Sequence, residues 1–280
     1  MREPTPDHVL TVVAPASGGL DDAIVAAARA ALNDLGAVVG AACWLAPGEA
    51  VDLPFSGADA GRAEAAARRA LAGKPLDLHA GAAAGRRRRL LVADMDATIV
   101  EGETLDELAR RTGRQREIAA ITGRAMRGEM DFTQALEARV AMLEGLPEQA
   151  LDDTLAGMRL MPGARALVRT MAENGAYTLL VSGGDRRFTG RAKALAGFDA
   201  ERGNRFEVMD GRLTGRVGRP VVDRDAKRRA LEETAREQAV PLAMTLAIGD
   251  GANDLPMVEA AGLGIGYRPK PVLAAAAGAR

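Results

Sequence analysis

The sequence predicts an α/β protein in which a doubly wound parallel sheet carries a helical insertion and follows a smaller α+β domain. Two observations favour the sheet and its insertion: strand and helix patterns alternate from residue 162 onward, whereas residues 103–157 contain helical patterns alone. A third observation, a separate set of strands and helices over residues 8–80, predicts the smaller domain.

The composition is that of an ordinary globular protein and excludes several functional classes. The 280 residues, 48% hydrophobic and 27% charged, suffice for two modest domains, and a formal net charge of −1 gives no overall attraction to nucleic acid or to an anionic membrane. The lone Cys43 excludes an internal disulfide and a multi-cysteine zinc site. Since no apolar run approaches the ~20 residues of a membrane span, and the N-terminus lacks the apolar core of a signal peptide, we expect a cytoplasmic protein.

Residues 8–80 predict a small domain that we interpret as ferredoxin-like (ACT-like). The expected elements, in the order β-α-β-β-α-β, are strand 8–14, helix 20–35, strand 37–45, a loop or broken hairpin at 46–57, helix 59–72 and a short strand at 75–80. The loop is expected because proline and glycine recur in it. With no catalytic cluster in this part of the sequence, we expect a regulatory or dimerisation domain over residues 1–82, with the arginine-rich stretch 81–89 as its linker.

The central strand is predicted at residues 90–93, because a short, continuous apolar run is typical of a strand buried on both faces. Asp94 and Asp96 follow at once, with Thr98 close behind. Ligands of open α/β sheets bind just past the carboxyl ends of such strands. Two carboxylates there are costly unless a cation compensates them. We therefore interpret Asp94 as a nucleophile, Asp96 as a general acid/base and the compensating group as a divalent cation.

Four helical patterns follow this strand without an intervening strand, at 103–113, 115–127, 131–144 and 147–157. An all-helical insertion cannot join a parallel sheet. We therefore expect residues of about 102–158 to form a cap over the carboxyl edge of the sheet, where it would screen a site from water.

The rest of the chain completes the parallel sheet by strand–helix alternation. After a helix at 162–175, the predicted elements are a strand at 176–181, a turn at Ser182-Gly183-Gly184, a helix at 185–196, a hairpin at 205–217, a helix at 223–238, a strand at 243–248, a loop at 249–254, a helix at 255–260, a strand at 262–266 and a last alanine-rich helix. The hairpin rests on the preference of the pair Asp210-Gly211 for tight turns. Together with the cap, this second domain is expected to span residues 83–280.

Three polar clusters follow strands of this sheet and are expected to share its carboxyl edge. They are Asp94 with Asp96, Ser182 with Gly183, and the trio Asp250, Asn253 and Asp254, while Lys227 begins a helix at the same edge. Each alone has an ordinary structural explanation, as a helix cap, a turn or a surface lysine. Four such coincidences at one edge favour a single functional site.

The residue types in that site point to phosphoryl transfer. Carboxylate oxygens without histidine or cysteine ligands favour Mg²⁺. The hydroxyl of Ser182, the N–H of Gly183 and the following helix N-terminus suit phosphate oxygens, and Lys227 supplies a compact positive charge. A carboxylate nucleophile would divide hydrolysis into two steps through an aspartyl-phosphate. The chain lacks the Gly-x-x-x-x-Gly-Lys-Ser/Thr loop of one large class of NTPases.

Four segments resemble, in order and spacing, the motifs of the haloacid dehalogenase (HAD) superfamily and, within it, of the phosphoserine phosphatases. They are Asp94-Met-Asp-Ala-Thr98, Ser182-Gly-Gly184, Lys227 and Gly249-Asp-Gly-Ala-Asn-Asp254. The resemblance, which covers roughly residues 89–272, implies a HAD-like Rossmannoid fold in which Asp94 is phosphorylated, while Asp96 protonates the leaving oxygen and then activates water. It also implies Mg²⁺ ligation by Asp94, Asp250 and the backbone carbonyl of Asp96, phosphoryl binding by Ser182, Gly183 and Lys227, and orientation of the metal and the lysine by Asn253 and Asp254, with Thr98 in support.

The resemblance implies a substrate as well. Glu103 matches the acid that binds the amino group of phosphoserine, Arg139 matches the arginine that grips its carboxylate, and Met126 and Phe132 match apolar residues of that pocket. Glu103 could instead be a first-turn helix acid, and Arg139 a solvated helix residue.

The implied function is Mg²⁺-dependent hydrolysis of O-phospho-L-serine, the last step of serine biosynthesis. One alternative is a HAD phosphatase or phosphotransferase for another small phosphomonoester, such as phosphohomoserine or phosphothreonine. A second is a non-enzymatic sensor with a vestigial site. No nucleic-acid or membrane partner is expected, and association into a homodimer is left open.

Overall fold

The computed structural model describes residues 6–15, 18–126 and 129–280, with only the backbone described at 123, 125 and 126. The chain forms two compact units, one of the described residues up to Arg87 together with Gly278–Arg280, and one of Arg88–Ala277. Within the described residues, no helix combines the length and the apolar composition required to cross a bilayer.

The N-terminal unit is an antiparallel sheet with two helices. Its strands pair in the order β2–β4–β1–β5, with β3 also pairing with β4. The strands are β1 (His8–Val13), β2 (Val38–Val39), β3 (Cys43–Ala46), β4 (Ala50–Ser56) and β5 (Asp77–Ala82), and the helices are α1 (Asp22–Asn33) and α2 (Ala60–Ala70). Asp21 and Asp59 cap the two helices through their side chains. Alternate residues of the strands, such as Leu10 and Leu53, are fully buried in one core with residues of both helices.

Of the two alternatives predicted for residues 46–57, the loop is wrong, because β4 occupies most of the stretch and pairs on both of its sides. The broken hairpin is confirmed, because β3 and β4 pair antiparallel with Ala46 opposite Ala50 and with a register shift after Trp44. Pro54 is tolerated there because the carbonyl oxygen of Pro54 accepts a hydrogen bond from Gly40 (2.8 Å) on the side where β2 ends. In an antiparallel ladder the N–H and C=O of one residue face the same side, so the missing N–H of Pro54 leaves the pairing with β1 intact. The single strand predicted at 37–45 is divided into β2 and β3.

The predicted linker at 81–89 begins within a strand, because β5 extends to Ala82. Further along, Arg86 holds the buried carboxylate of Asp52 with two hydrogen bonds of 2.6 and 2.9 Å, and a third reaches Thr11. This arginine therefore belongs to the structure of the N-terminal unit, rather than to a linker.

The larger unit contains the predicted parallel sheet. Its strands lie in the order β12–β11–β6–β7–β8, and every neighbouring pair is parallel. The strands are β6 (Leu90–Ala93), β7 (Tyr177–Asp185), β8 (Ala200–Asn204), β11 (Thr245–Gly249) and β12 (Leu263–Gly266). The central strand β6 is buried on both faces: Leu90 and Val92 pack into one core cluster, and Leu91 and Ala93 into another. The strand therefore ends, at Asp94, in the middle of the sheet's carboxyl edge.

Helices cover this sheet and form the insertion between β6 and β7. The insertion contains α3 (Thr104–Thr112), α4 (Gln115–Met126), α5 (Phe132–Ala141) and α6 (Gln149–Gly157), and the remaining helices are α7 (Ala164–Glu173), α8 (Arg186–Ala196), α9 (Arg224–Glu237), α10 (Leu255–Ala260) and α11 (Pro271–Ala276). The two chain segments that enter and leave the insertion pair with each other, through bonds of 2.9 Å from Glu101 N to Arg159 O and from Met161 N to Ile99 O. This pairing joins the insertion to the sheet by a narrow neck.

A hairpin of β9 (Phe206–Met209) and β10 (Arg212–Val217) confirms the prediction from Asp210-Gly211, and both turn residues have the positive φ that such a turn needs (50° and 71°). Two other predictions near it need correction. Strand β8 was not predicted, and Ser182-Gly183-Gly184 is not a turn but extended strand within β7. Pairing between β7 and β8 shifts register after Val181 and resumes at Asp185.

Candidate active site

The site begins in the turn that follows β6. Asp94 N donates to Ile248 O (3.0 Å), which holds Asp94 in the sheet, and its side chain is buried. The chain then reverses through Ala97, whose φ of 53° lies in the left-handed region and whose N–H donates to Gly102 O (2.9 Å). The turn leaves Asp94 and Asp96 at the end of the central strand.

The side chain of Lys227, on α9, lies between the carboxylates of Asp94 and Asp254. Its Nζ is 2.6 Å from Asp94 Oδ1 and 2.6 Å from Asp254 Oδ1, and only 1% of the lysine side chain is exposed. Burial alone would lower the pKa of Lys227, but the charges of Asp254 and Asp94 outweigh it and hold that pKa above its ordinary value. Burial and the Asp254 charge raise the pKa of Asp94, against the opposing effect of Lys227.

The loop after β11 contributes a further carboxylate, Asp250, and is held together by Asp254. Asp254 Oδ2 accepts hydrogen bonds from the N–H groups of Asp250 (3.2 Å) and Gly251 (3.1 Å), and Asn253 Nδ2 donates to Asp254 Oδ1 (3.3 Å). Carboxylate oxygens of Asp94, Asp250 and Asp254 all lie within 4.8 Å of one another, and all three residues are buried. This all-oxygen, strongly negative cluster has the donor chemistry that hard divalent cations prefer.

Asp96 faces the other polar group of the sheet edge, Ser182. The Ser182 hydroxyl donates to Asp96 Oδ2 (3.2 Å), and the Thr104 N–H donates to Asp96 Oδ1 (2.8 Å). Burial raises the pKa of Asp96, and the hydrogen bonds from Thr104 partly offset that rise. The carboxyl group is therefore suited to carry a proton, while its orientation is fixed at both oxygens.

A cavity of about 800 Å³ connects these groups with the helical insertion. The predicted residues that line it are Asp94, Asp96, Glu103, Phe132, Arg139, Ser182, Gly183, Lys227, Asp250 and Asn253. Phe132, at the start of α5, approaches Gly183 so closely that a Cβ atom at this glycine would lie 3.0 Å from Phe132 Cζ. A Cβ atom at position 183 would therefore be in unusually tight contact with the insertion, and the Phe132 ring would have to shift to admit it.

Glu103 stands at the start of α3, where it makes no helix-capping hydrogen bond, and 44% of its side chain is exposed. Burial of its carboxyl group, together with the negative charge of Asp96, raises the pKa of Glu103 to about 7. Glu103 occupies the N-cap position of α3 rather than its first turn, and its side chain lines the cavity without a hydrogen bond to its own helix.

Arg139 also faces the cavity. Its Nη1 lies 3.5 Å from Thr122 Oγ1, and its Nε is buried and has no hydrogen-bond partner among the described residues. A buried guanidinium nitrogen without an acceptor is costly, and a ligand carboxylate would satisfy it.

Three predicted residues are not placed in the cavity wall. Asp254 is fully buried and reaches the site through its contact with Lys227. The side chain of Met126 lies outside the described part of the structure. Thr98 is buried within the turn after β6, is not part of the cavity wall, and its hydroxyl has no partner among the described residues. A second, larger groove of about 1040 Å³ lies along the β9–β10 hairpin and contains none of the predicted site residues.

Lys270 is a site residue that sequence reasoning missed. Its Nζ lies 3.0 Å from Asp250 Oδ2 and 4.0 Å from Glu103 Oε1, and it lines the same cavity. One feature of the sequence could have pointed to Lys270, because lysine is rare in this arginine-rich chain. The four lysines are Lys74, Lys193, Lys227 and Lys270.

Comparisons with known proteins agree with this arrangement. A family model for haloacid dehalogenase-like hydrolases matches residues 91–259. The chain is 47% identical over 190 residues to phosphoserine phosphatase SerB2 of Mycobacterium tuberculosis, which is 68% of this chain and 46% of that protein. It is 45% identical to a phosphoserine phosphatase of Streptococcus thermophilus, over 66% of this chain and 86% of the relative. Several of the relatives are longer, and the chain spans about half the length of three of them.

The same likeness extends to solved structures. A probable phosphoserine phosphatase from Vibrio cholerae, in its unliganded form, superposes with a TM-score of 0.76 at 30% identity, over 98% of this chain and 82% of that one. The fold thus agrees with the sequence match. The chain belongs to the haloacid dehalogenase-like hydrolase family.

Proposed function

We propose that this chain is a Mg²⁺-dependent phosphatase that hydrolyses O-phospho-L-serine to L-serine and phosphate. One observation carries the proposal: the carboxylates of the buried Asp94 and the half-buried Asp96 share a single cavity with Ser182 and Lys227 on one side and with Glu103 and Arg139 on the other. The first group is suited to a phosphoryl group, and the second to an amino acid. The names of the similar proteins point to the same substrate.

The acidic cluster supports a divalent metal ion. Asp94 and Asp250 are the side chains that we assign to it, with the backbone carbonyl of Asp96, because the oxygens of Asp254 already accept from Lys227 and from two backbone N–H groups. When bound, Mg²⁺ would neutralise the charge of the carboxylates and of the phosphoryl oxygens. Without it, Lys227 supplies one positive charge against two nearby carboxylates.

In the first step, we assign the nucleophile to Asp94. A carboxylate oxygen of Asp94 forms a bond to phosphorus as the bond from phosphorus to the serine oxygen breaks, and Asp96 gives its proton to that oxygen. The raised pKa of Asp96 supports the role of proton donor. Ser182, the Gly183 N–H and Lys227 bind the phosphoryl oxygens and hold the group in line with Asp94.

In the second step, the ionised Asp96 removes a proton from a water molecule, whose oxygen attacks the phosphorus of the aspartyl-phosphate. The bond from phosphorus to Asp94 breaks, inorganic phosphate forms, and Asp96 is again protonated, so both carboxyl groups return to their starting states. The cavity beneath the insertion limits the water that can reach this intermediate.

The substrate assignment rests on the far wall of the cavity. We assign the ammonium of phosphoserine to Glu103 and its carboxylate to Arg139, whose buried Nε lacks a partner among the described residues. Phe132 at the base of the insertion fits the apolar part of the substrate. The roles of Asn253 and Asp254 in orienting the loop and Lys227, and of Thr98 in supporting the turn, remain part of the same proposal.

Phosphate release from L-phosphoserine, with and without Mg²⁺, tests the proposal. We expect turnover that depends on Mg²⁺ and exceeds that of phosphothreonine and phosphohomoserine in kcat/KM. A higher kcat/KM for either of those two compounds would refute phosphoserine as the substrate, but the proposed phosphatase reaction would stand. Absence of hydrolysis for all three would refute the activity.

For the domain expected over residues 1–82, both expected roles stay proposals: regulation by a small effector and association of two copies. The exposed side chains of Val38, Trp44 and Leu45 on strands β2 and β3 favour association, since among the described residues each strand pairs on one side only, with β4. Light scattering of the full chain and of Trp44→Ser tests this: a dimer that Trp44→Ser weakens supports association, and a monomer in both contradicts it.

We keep the cytoplasm as the proposed location.

A further inference from the structure

Asn204, the last residue of β8, makes three hydrogen bonds at the edge of the candidate active site without lining the cavity. Its Nδ2 donates to Gly183 O (2.8 Å) and to Val222 O (3.3 Å), and its Oδ1 accepts from Val222 N (2.7 Å). The side chain is 1% exposed. Only this orientation of the amide pairs its donors with two carbonyl oxygens and its acceptor with an N–H group.

The peptide group between Gly183 and Gly184 connects this amide to the phosphate-binding hydroxyl. The carbonyl oxygen of Gly183 is held by Asn204, and the N–H of the same peptide unit, on Gly184, donates to Ser182 Oγ (2.9 Å). Because a peptide group is planar, fixing its carbonyl oxygen also fixes the direction of its N–H. Ser182 Oγ therefore accepts one hydrogen bond, from the N–H of Gly184, and its hydroxyl proton is available to donate. In this structure the hydroxyl donates to Asp96 Oδ2 (3.2 Å).

The flexibility of this segment makes such a tie necessary. Two glycines follow Ser182, and glycine restricts the backbone less than any other residue. Phe132 lies close to position 183, so a side chain there would fit only if the ring shifted. The pairing of β7 with β8 is also interrupted between Val181 and Asp185, which removes the usual backbone restraint.

We propose that Asn204 is a positioning residue that orients the Ser182 hydroxyl toward the phosphoryl group through the Gly183–Gly184 peptide. This inference rests on the proposed phosphoryl-binding role of Ser182, and it does not depend on which phosphomonoester is the substrate. The bond from Val222 N to Asn204 Oδ1 fixes the amide, because it ties the residue to the loop before α9. Asn204 acts through Ser182 and does not touch the reacting atoms.

The test compares Asn204→Ala with a control at the opposite end of β7. Thr178 is also fully buried and hydrogen-bonded through its side chain, to Asp199 Oδ2 (2.9 Å), but at the end of the strand away from the cavity. Calorimetry measures the binding of inorganic phosphate in the presence of Mg²⁺, and thermal denaturation measures stability. We expect both Asn204→Ala and Thr178→Val to lower the melting temperature, and only Asn204→Ala to weaken phosphate binding, by about tenfold.

A second variant keeps the shape of the side chain. Asn204→Asp places a carboxylate oxygen opposite two carbonyl oxygens, and we expect it to weaken phosphate binding at least as much as Asn204→Ala. It also serves as the test variant should Asn204→Ala fail to fold. Phosphate affinity like that of the wild type in either folded variant would overturn the proposal, as would absence of phosphate binding by the wild type.

Coupling to Ser182 separates a positioning role from a general structural one. In a Ser182→Ala background the hydroxyl is absent, so we expect Asn204→Ala to change phosphate affinity by less than about twofold. If Asn204→Ala weakened phosphate binding by the same factor in the Ser182→Ala background as in the wild type, the proposal would be overturned. Wild-type protein that binds phosphate but does not hydrolyse phosphoserine would refute the proposed substrate and leave this inference standing, since the binding measurement requires no turnover.

Discussion

The Nζ atom of Lys227 lies 2.6 Å from Oδ1 of Asp94, and both side chains are buried. The lysine is shared, because Asp254 Oδ1 lies at the same distance on its other side. One ammonium thus balances two carboxylates that come from different strand ends of one sheet. The proposed nucleophile, Asp94, and the proposed phosphate-binding cation, Lys227, are therefore already in contact before a substrate binds. This preorganisation lowers the free energy needed to position them during the reaction.

Removal of this lysine should destabilise the fold as well as impair the activity. Lys227→Met leaves the carboxylates of Asp94 and Asp254 buried without their counter-charge, and breaking a buried ion pair in this way costs about 3–5 kcal/mol. We expect a lower melting temperature in a chelating buffer. Lys74→Met, at an exposed position, is the control and should leave the melting temperature unchanged.

The same cause predicts a compensating change. Asp254→Asn in the Lys227→Met background removes one of the two unpaired charges, so the double variant should regain part of the lost free energy of unfolding. Equal melting temperatures for wild type and Lys227→Met would contradict the charge balance described above.

Replacement of the proposed nucleophile should abolish turnover without unfolding the protein. Asp94→Asn keeps the shape of the side chain and an oxygen that can accept the hydrogen bond from Met95 N (2.7 Å), but an amide does not form the phosphoryl bond. We expect kcat for phosphoserine to fall by roughly three orders of magnitude or more. Asp152→Asn, at an exposed position that does not line the cavity, is the matched control and should keep its activity. Retained hydrolysis by Asp94→Asn would refute the covalent mechanism.

Arg139 should determine recognition of the amino-acid carboxylate and not the chemical step. We expect Arg139→Ala to raise KM for phosphoserine by about 10- to 100-fold, and to leave p-nitrophenyl phosphate unaffected because that compound has no carboxylate. Arg139→Lys should fall between the two, since it keeps the charge but not the fork of donors. Arg111→Ala, an exposed arginine paired with Asp153 outside the cavity, is the control. Equal KM changes for both compounds would contradict the assignment.

Much of this site could be predicted from the sequence because parallel strands bring distant loops to one edge. Asp94, Ser182 and Asp250 are separated by many residues, yet each follows a short apolar run, and the structure places all three around one cavity. The hairpin at Asp210-Gly211 was predictable for a local reason, since the turn requires two residues that tolerate positive φ.

Other features depend on contacts that local sequence does not encode. Ser182-Gly183-Gly184 has the composition of a turn, but the segment is extended within β7, and Asn204 of β8 binds the carbonyl oxygen of Gly183. Pro54 indicates a loop, but its missing N–H faces the end of a neighbouring strand. Lys270 reaches the site from the loop after the last strand, where neither a motif nor a helical pattern marks it.

The pKa of Glu103 gives the last prediction, a pH dependence of substrate affinity. Burial and the charge of Asp96 raise this pKa to about 7, so the carboxyl group is ionised above that pH and neutral below it. Only the ionised form attracts the ammonium of phosphoserine, and we therefore expect KM to rise as the pH falls through about 7. Lys270 opposes the rise in the pKa of Glu103, so Lys270→Met should move this transition to higher pH.

Steady-state kinetics between pH 5.5 and 8.5 measure both shifts, with p-nitrophenyl phosphate as a control for ionisation of the phosphoryl group, whose second pKa is about 6. Glu103→Gln should give a high KM that does not follow this transition. A KM for phosphoserine that parallels that of p-nitrophenyl phosphate across the range would show that Glu103 does not bind the ammonium.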